Sequence, residues 1–162
     1  MFTLISVYVV KEKMEIDKLI RQPRFRDSYQ KAIINLFYTS NYFRDAHNAV
    51  FSKYKIQGQH FNVLRILKGK HPEPVSPGYI KDVILDKGGD LTRLIDKLEK
   101  LEWVQRNICL ENKRKIHIRL TEKGISKLLE ISSEVEKNEN IFRKMSDDEY
   151  HTLSGLLDKM RG

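Results

Sequence analysis

"DLTRLIDKLEKLEWVQRNICLENKRKIHIRLTEKG", residues 90–124, decides the fold. In its first third the apolar residues Leu91, Leu94, Ile95, Leu98 and Leu101 recur every three or four positions. That interval is one buried face of a helix over 90–101. Asp90, Thr92, Arg93, Asp96, Lys97 and Lys100 are left for the outer faces. From Val104 the period drops to two, the mark of strands. Val104, Arg106, Ile108 and Leu110 share one face of a first strand, and Ile116, Ile118 and Leu120 share one face of a second. Lys115, His117 and Arg119 occupy the other face. The hairpin tip carries three adjacent cations, Lys113, Arg114 and Lys115.

Upstream, "GQHFNVLRILKGK" (58–70) sets Phe61, Leu64 and Leu67 at helical spacing and is expected to end at Gly69. The connector "HPEPV" follows, then Ser76 before Pro77, a cap residue ahead of a proline at the first helical position. A short helix runs from there to about Leu85, and "DKGG" (86–89) breaks it. Two helices joined by a glycine-containing turn, the second polar on its outward side, outline a helix-turn-helix. The hairpin behind them completes a winged helix.

Long helices flank this core. Tyr29, Ile33, Leu36, Phe37, Phe43, Val50, Phe51 and Tyr54 form one stripe, longer than a small domain needs for its own core. Part of that stripe is expected to cover a partner. After the hairpin, Ile125, Leu128, Leu129, Ser132 and Val135 continue toward Ile141, Phe142 and Met145. "SDDE" (146–149) reads as a capping box, and Leu153, Leu156, Leu157 and Met160 give the last helix its stripe. The expected fold is mainly α with a small β-hairpin wing. Its divisions are an extension over 1–24, a helix region over 25–57, the winged core over 58–121 and helices over 122–162.

Composition narrows the function. Of 162 residues, 40% are hydrophobic and 32% charged, which suits a folded, helix-rich chain. The net charge is +8. Residues 87–121 carry nine Lys/Arg against five Asp/Glu, so the excess is no basic tail. Basic charge on a folded segment is a footprint for a polyanion. The single cysteine excludes an internal disulfide framework and fits the cytoplasm. "FTLISVYVV" (2–10) is too short to span a bilayer and lacks the flanks of a signal peptide, so no membrane is expected. Met14 opens "MEIDKLI", and residues 1–13 read as an alternative start or an added strand-like segment. No nucleophile elbow, phosphate loop or zinc-protease motif is present, so the chain does not read as an enzyme.

The order of elements resembles the multiple-antibiotic-resistance regulator (MarR) family. "LTRLIDKLEKLEWVQR" (91–106), "ENKRKIHIRLTEKG" (111–124) and "GQHFNVLRIL" (58–67) carry the likeness, which covers roughly residues 25–161. The resemblance implies a homodimeric winged-helix protein that binds double-stranded DNA. Gly89, Asp90, Thr92, Arg93 and Lys97 then fall on the DNA-reading helix. Lys113, Arg114 and Lys115 fall on the wing, with Arg114 at the family's wing-tip arginine. Tyr29, Ile33, Leu36, Leu153, Leu156, Leu157 and Met160 fall on the dimer interface. Family members also bind small anionic or phenolic effectors between the first long helix and the DNA-binding lobe, but the sequence names no ligand. The aromatics of "FYTSNYF" (37–43) read as core or interface. Three departures stand out. Asn112 replaces the wing aspartate that braces the arginine. Glu102 replaces the glycine after the reading helix, so that turn is expected to take another geometry. The Gly88–Gly89 pair is expected to loosen the start of that helix.

The chemistry agrees with the resemblance. Arg93 can donate two hydrogen bonds to guanine, and Thr92 can meet a phosphate or a thymine methyl. The wing cations can reach phosphates or the minor groove. The blander alternatives are a solvated amphipathic helix and a solvated turn. Cys109 reads as an inert strand residue rather than a redox switch. His47, His60, His71, His117 and His151 form no close metal-ligand pair, so capping, packing or surface roles are expected and neither metal nor cofactor. The rival to DNA binding is a winged helix used for protein–protein assembly, which would place exposed apolar residues on the reading helix and wing.

Overall fold

The computed structural model describes residues 15–108 and 116–162. The apolar run 2–10 and Met14 lie outside the described residues. So do Cys109, Leu110, Asn112 and the wing-tip cations Lys113, Arg114 and Lys115. The chain divides into two compact units between Asp45 and Ala46, inside a single long helix.

The first unit holds α1 (Ile16–Leu19) and the opening turns of α2 (Ser28–Lys53). Asp27 starts α2: its carboxylate accepts from the Gln30 backbone N–H at 2.7 Å. That bond, with Arg26 beside it, holds the Asp27 carboxyl below the usual carboxylate range. Along this half of α2 much of the stripe is exposed. Tyr29 is 63% and Phe37 64% exposed, and Tyr38, Tyr42 and Phe43 are exposed as well. Of the two readings of "FYTSNYF", core or interface, the exposed rings leave the interface one.

The second unit contains the end of α2, α3 (Gly58–Lys70), α4 (Pro77–Val83), α5 (Leu91–Lys100), β1 (Val104–Ile108), β2 (Ile116–Leu120), α6 (Glu122–Asn140) and α7 (Asp147–Arg161). α3 runs through its centre and contributes Phe61, Val63, Leu64 and Leu67 to one core. Leu64, Ile80, Leu98, Ile118 and Ile131 are each fully buried, so α3, α4, α5, β2 and α6 meet there. Each such side chain contributes about 1.5–3 kcal/mol by leaving water. Gly69 lies inside the last turn of α3, which continues to Lys70. On α6 the buried stripe is Leu128, Ile131 and Val135, whereas Leu129 is 60% exposed. The expected Leu129–Ser132 line was one step off around the helix, because Ile131 completes the apolar face.

Local signals start α4 and α7 where expected. The Ser76 hydroxyl accepts from the Tyr79 backbone N–H at 3.2 Å. The Ser146 hydroxyl accepts from the Glu149 N–H at 3.3 Å, and the Glu149 carboxylate accepts from the Ser146 N–H at 2.8 Å. The strands pair antiparallel with Val104 opposite Leu120 and Arg106 opposite Ile118. The connector adds a bridge the sequence did not reveal: Val75 and Ile118 exchange backbone hydrogen bonds at 2.9 and 2.8 Å.

Glu102 corrects the second departure. The turn after α5 keeps a left-handed backbone, with Glu102 at φ +62° in the glycine's place. A non-glycine residue there costs about 1–2 kcal/mol. The surroundings hold it: the Thr121 hydroxyl donates to the Glu102 carbonyl at 2.7 Å, and Lys123 pairs with its carboxylate at 2.6 Å. The Lys123 ammonium keeps that carboxyl below its usual range.

Candidate nucleic-acid interface

α5 begins at Asp90, whose carboxylate accepts from the backbone N–H groups of Thr92 at 3.0 Å and Arg93 at 3.3 Å. The same carboxylate lies 3.3 Å from the Arg93 Nε. Asp90 is thus a helix cap that also steers Arg93. The Arg93 side chain is 87% exposed, and Thr92 beside it is exposed too. The turn in front is pinned, contrary to the looseness expected of Gly88 and Gly89. Asp86 accepts from the Gly88 N–H at 2.9 Å and from the Gln59 amide at 2.6 Å, and the Leu85 N–H donates to Asn62 at 2.9 Å. A Cβ on Gly89 would lie 2.8 Å from the Gln59 amide nitrogen. A side chain at Gly89 would therefore turn the Gln59 amide away from Asp86.

The outer surface of α5 has two flanks. Arg93, Lys97 and Lys100 follow one another at i, i+4 and i+7 on the first. Thr92, Asp96 and Glu99 form the second. Two carboxylates there would repel a polyanion, and Arg106 of β1 offsets one of the two charges. Its guanidinium pairs with both Asp96 and Glu99, and its backbone N–H donates to Glu99 at 3.3 Å. This arginine ties the hairpin to α5. Sequence reasoning assigned it only to a strand face. The signal was available: a cation on the core-side face of a strand that follows two acids three apart on the preceding helix.

Lys97 is half-buried and faces His60 of α3. His60 Nδ1 accepts from the Gln57 backbone N–H at 3.1 Å, so its role is capping. Burial, with the Lys97 charge, holds the imidazole below its ordinary proton affinity. The unfolded state therefore takes up a proton first as pH falls through about 6.5. Stability is fully present above that pH and declines below it. The urea midpoint should drop between pH 7.5 and 5.5, and His60→Gln, which retains an acceptor at this cap, should remove most of the drop. An equal drop in both proteins would assign it to other groups.

The wing presents Gln105, Asn107, His117 and Arg119 outward, with Arg119 opposite Gln105 and His117 opposite Asn107. The wing tip lies outside the described residues. Of the residues expected at a dimer interface, Tyr29, Leu153 (44%), Leu156 (58%) and Met160 (48%) are exposed, while Ile33, Leu36 and Leu157 are partly buried. Among the described residues no group of three or more His, Cys, Asp or Glu is placed to hold a metal. No described helix is long and apolar enough to cross a membrane.

A helix-turn-helix with a solvent-facing second helix and a two-stranded wing defines a winged-helix protein. Comparison with known proteins gives its family. The chain is 30% identical over 113 residues to the HTH-type transcriptional regulator PecS of Dickeya dadantii, covering 68% of each chain. It is 29% identical over 113 residues to the HTH-type regulator MgrA of Staphylococcus aureus, covering 70% of this chain and 75% of that one. The crystal structure of a MarR transcription factor from Planctomyces limnophilus superposes with a TM-score of 0.65 at 30% identity, over 83% of this chain and 98% of the other. The S. aureus MepR–DNA complex shares the fold, with a TM-score of 0.70 at 19% identity over 85% and 97%. No family model matches the chain. The chain belongs to the MarR family of winged-helix transcription regulators.

Proposed function

We propose that the chain binds double-stranded DNA in a sequence-specific manner as a homodimer. Residues 58–121 form the DNA-binding domain, and residues 25–57 and 122–162 carry the dimer contacts. The observation that carries this reading is the outward surface of α5. Its first turn exposes Thr92 and Arg93, its cations lie along one flank, and Arg106 engages both acids of the other and offsets half their charge. A helix fits the major groove, where Arg93 can take the two acceptors of a guanine and Thr92 a phosphate or thymine methyl. Lys97 supports that flank. Gly89 and Asp90 set the helix start from which these side chains project.

Dimerisation places two such helices on one duplex, about 34–36 Å apart for half-sites one turn apart. The exposed stripes of α2 and α7 are the surface a second copy would cover. A regulator of this kind acts in the cytoplasm, and its family supports control by a small anionic or phenolic effector. It performs no enzymatic reaction.

The protein–protein reading has one observation in its favour. Tyr79 (38%), Val83 (44%) and Leu85 (87%) are exposed on α4 and the turn after it. The outward surface of α5 carries no such residue, which favours DNA. Selection of bound sites from random duplexes tests the choice. DNA reading yields one enriched motif with two-fold symmetry, whereas a protein module enriches none.

The wing enters as a charge contact. Each phosphate neutralised contributes about 0.9 to the slope of log affinity against log salt. Arg114→Ala should therefore lower the slope by about 0.9 for each copy whose wing meets phosphate. An unchanged slope in folded protein would make Arg114 a solubility residue.

A further inference from the structure

A hollow of about 330 Å³ opens where the end of α3, the connector, α4 and β2 meet. Lys70, Glu73, Pro74, Val75, Ser76, Tyr79 and His117 line it. None of these residues belongs to α5. Its walls are fixed by the Val75–Ile118 backbone pair and by the Ser76–Tyr79 hydrogen bond. The Lys70 ammonium stands 5.2 Å from the centre of the Tyr79 ring. Among the described residues, no hydrogen bond or carboxylate satisfies the Lys70 ammonium, the Tyr79 hydroxyl or the His117 ring. Three donors of different types therefore border one open hollow with a floor of Pro74 and Val75.

We propose that this hollow seats a backbone phosphate of the duplex, outside the base-reading contacts. The inference rests on the DNA reading above. In helix-turn-helix proteins the first helix crosses the DNA backbone while the second enters the groove, and the hollow lies at the start of that first helix. A phosphodiester needs a cation and convergent donors, and its deoxyribose needs apolar surface. Lys70 supplies the charge, Tyr79 and His117 supply donors, and the Pro74–Val75 floor supplies the apolar contact. Glu73 selects among anions. Its carboxylate opposes any negative ligand, and a phosphodiester with one charge, held by many other contacts, tolerates it better than a free phosphate with nearly two.

The experiment measures binding of the full-length chain to its selected duplex and to a random duplex at several salt concentrations. Lys70→Gln should weaken both duplexes by the same factor and lower the salt slope by about 0.9 for each copy engaged. Tyr79→Phe should weaken both without changing the slope. Glu73→Gln should strengthen both. Inorganic phosphate at matched ionic strength should not compete. If the wild-type chain binds its duplex but Lys70→Gln keeps both affinity and slope, the seat is refuted and the DNA reading stands. Competition by inorganic phosphate that Lys70→Gln abolishes would make the hollow a free-phosphate site and refute the assignment to DNA. A wild-type chain that binds no duplex overturns both.

Discussion

Gly124→Ala should destabilise the fold by about 2–3 kcal/mol, the upper part of the range of about 1–3 kcal/mol for forcing an atom into a packed site. Two effects oppose each other there. Alanine is the better residue inside a helix by about 1 kcal/mol, and Gly124 lies in the first turn of α6. Against that, a Cβ would fall 1.9 Å from the Trp103 carbonyl oxygen and 2.8 Å from its carbonyl carbon. Both are backbone atoms, so no side-chain rotation relieves the clash. Trp103 cannot retreat freely, because its oxygen also accepts from the Thr121 N–H at 3.1 Å. Thr121 in turn caps α6 through Gly124 and donates to the Glu102 carbonyl. The whole junction of α5, wing and α6 would have to shift. Trp103, the only tryptophan and 4% exposed, reports the transition by its fluorescence. A urea midpoint at or above the wild type would show that helix propensity prevails and that this contact is looser than described.

Truncation before Ser146 should abolish dimerisation and leave the winged core folded. α7 has a complete capping box and an apolar stripe, yet none of its residues is buried. A helix of that pattern is stable in water only when its stripe is covered. Leu153, Leu156 and Met160 therefore require a partner surface, and obligate interfaces of this kind bury about 2,000 Å² or more. The core around Leu64, Leu98 and Ile118 makes no use of α7. Sedimentation should give a dimer for the full chain at micromolar concentration and a monomer for residues 1–145, with Trp103 emission unchanged. A full-length monomer would mean that these stripes serve something other than a second copy.

The fold was legible from the sequence where one period dominates a segment. The stripe from Leu91 to Leu101, the alternation around Ile116–Leu120 and the caps at Ser76 and Ser146 are local patterns, and each took the form they specify. What was not legible depends on contacts between segments. The Val75–Ile118 bridge, the Gln59 support beneath Gly89 and the bond from Asn138 to the Ala46 carbonyl join residues remote in sequence. Glu102 failed for another reason: propensity disfavours glutamate in a left-handed turn, and partners from the following helix overrule it. In the candidate site the exposure of Thr92 and Arg93 followed from the helical period. The role of Arg106 did not, because a strand-face pattern does not say which acids the side chain will meet. Asp90 was taken as a reading residue, yet its carboxylate is engaged by the helix start and Arg93.

The central claim is that Arg93 reads a base, and one substitution tests it most directly. Arg93→Ala should be titrated against the selected duplex and against a random duplex of equal length and salt. Base reading predicts a loss of about 1–3 kcal/mol on the selected duplex, a much smaller loss on the random one, and a relaxed motif on reselection. Equal weakening on both, with the motif unchanged, would make Arg93 a phosphate contact and contradict the account.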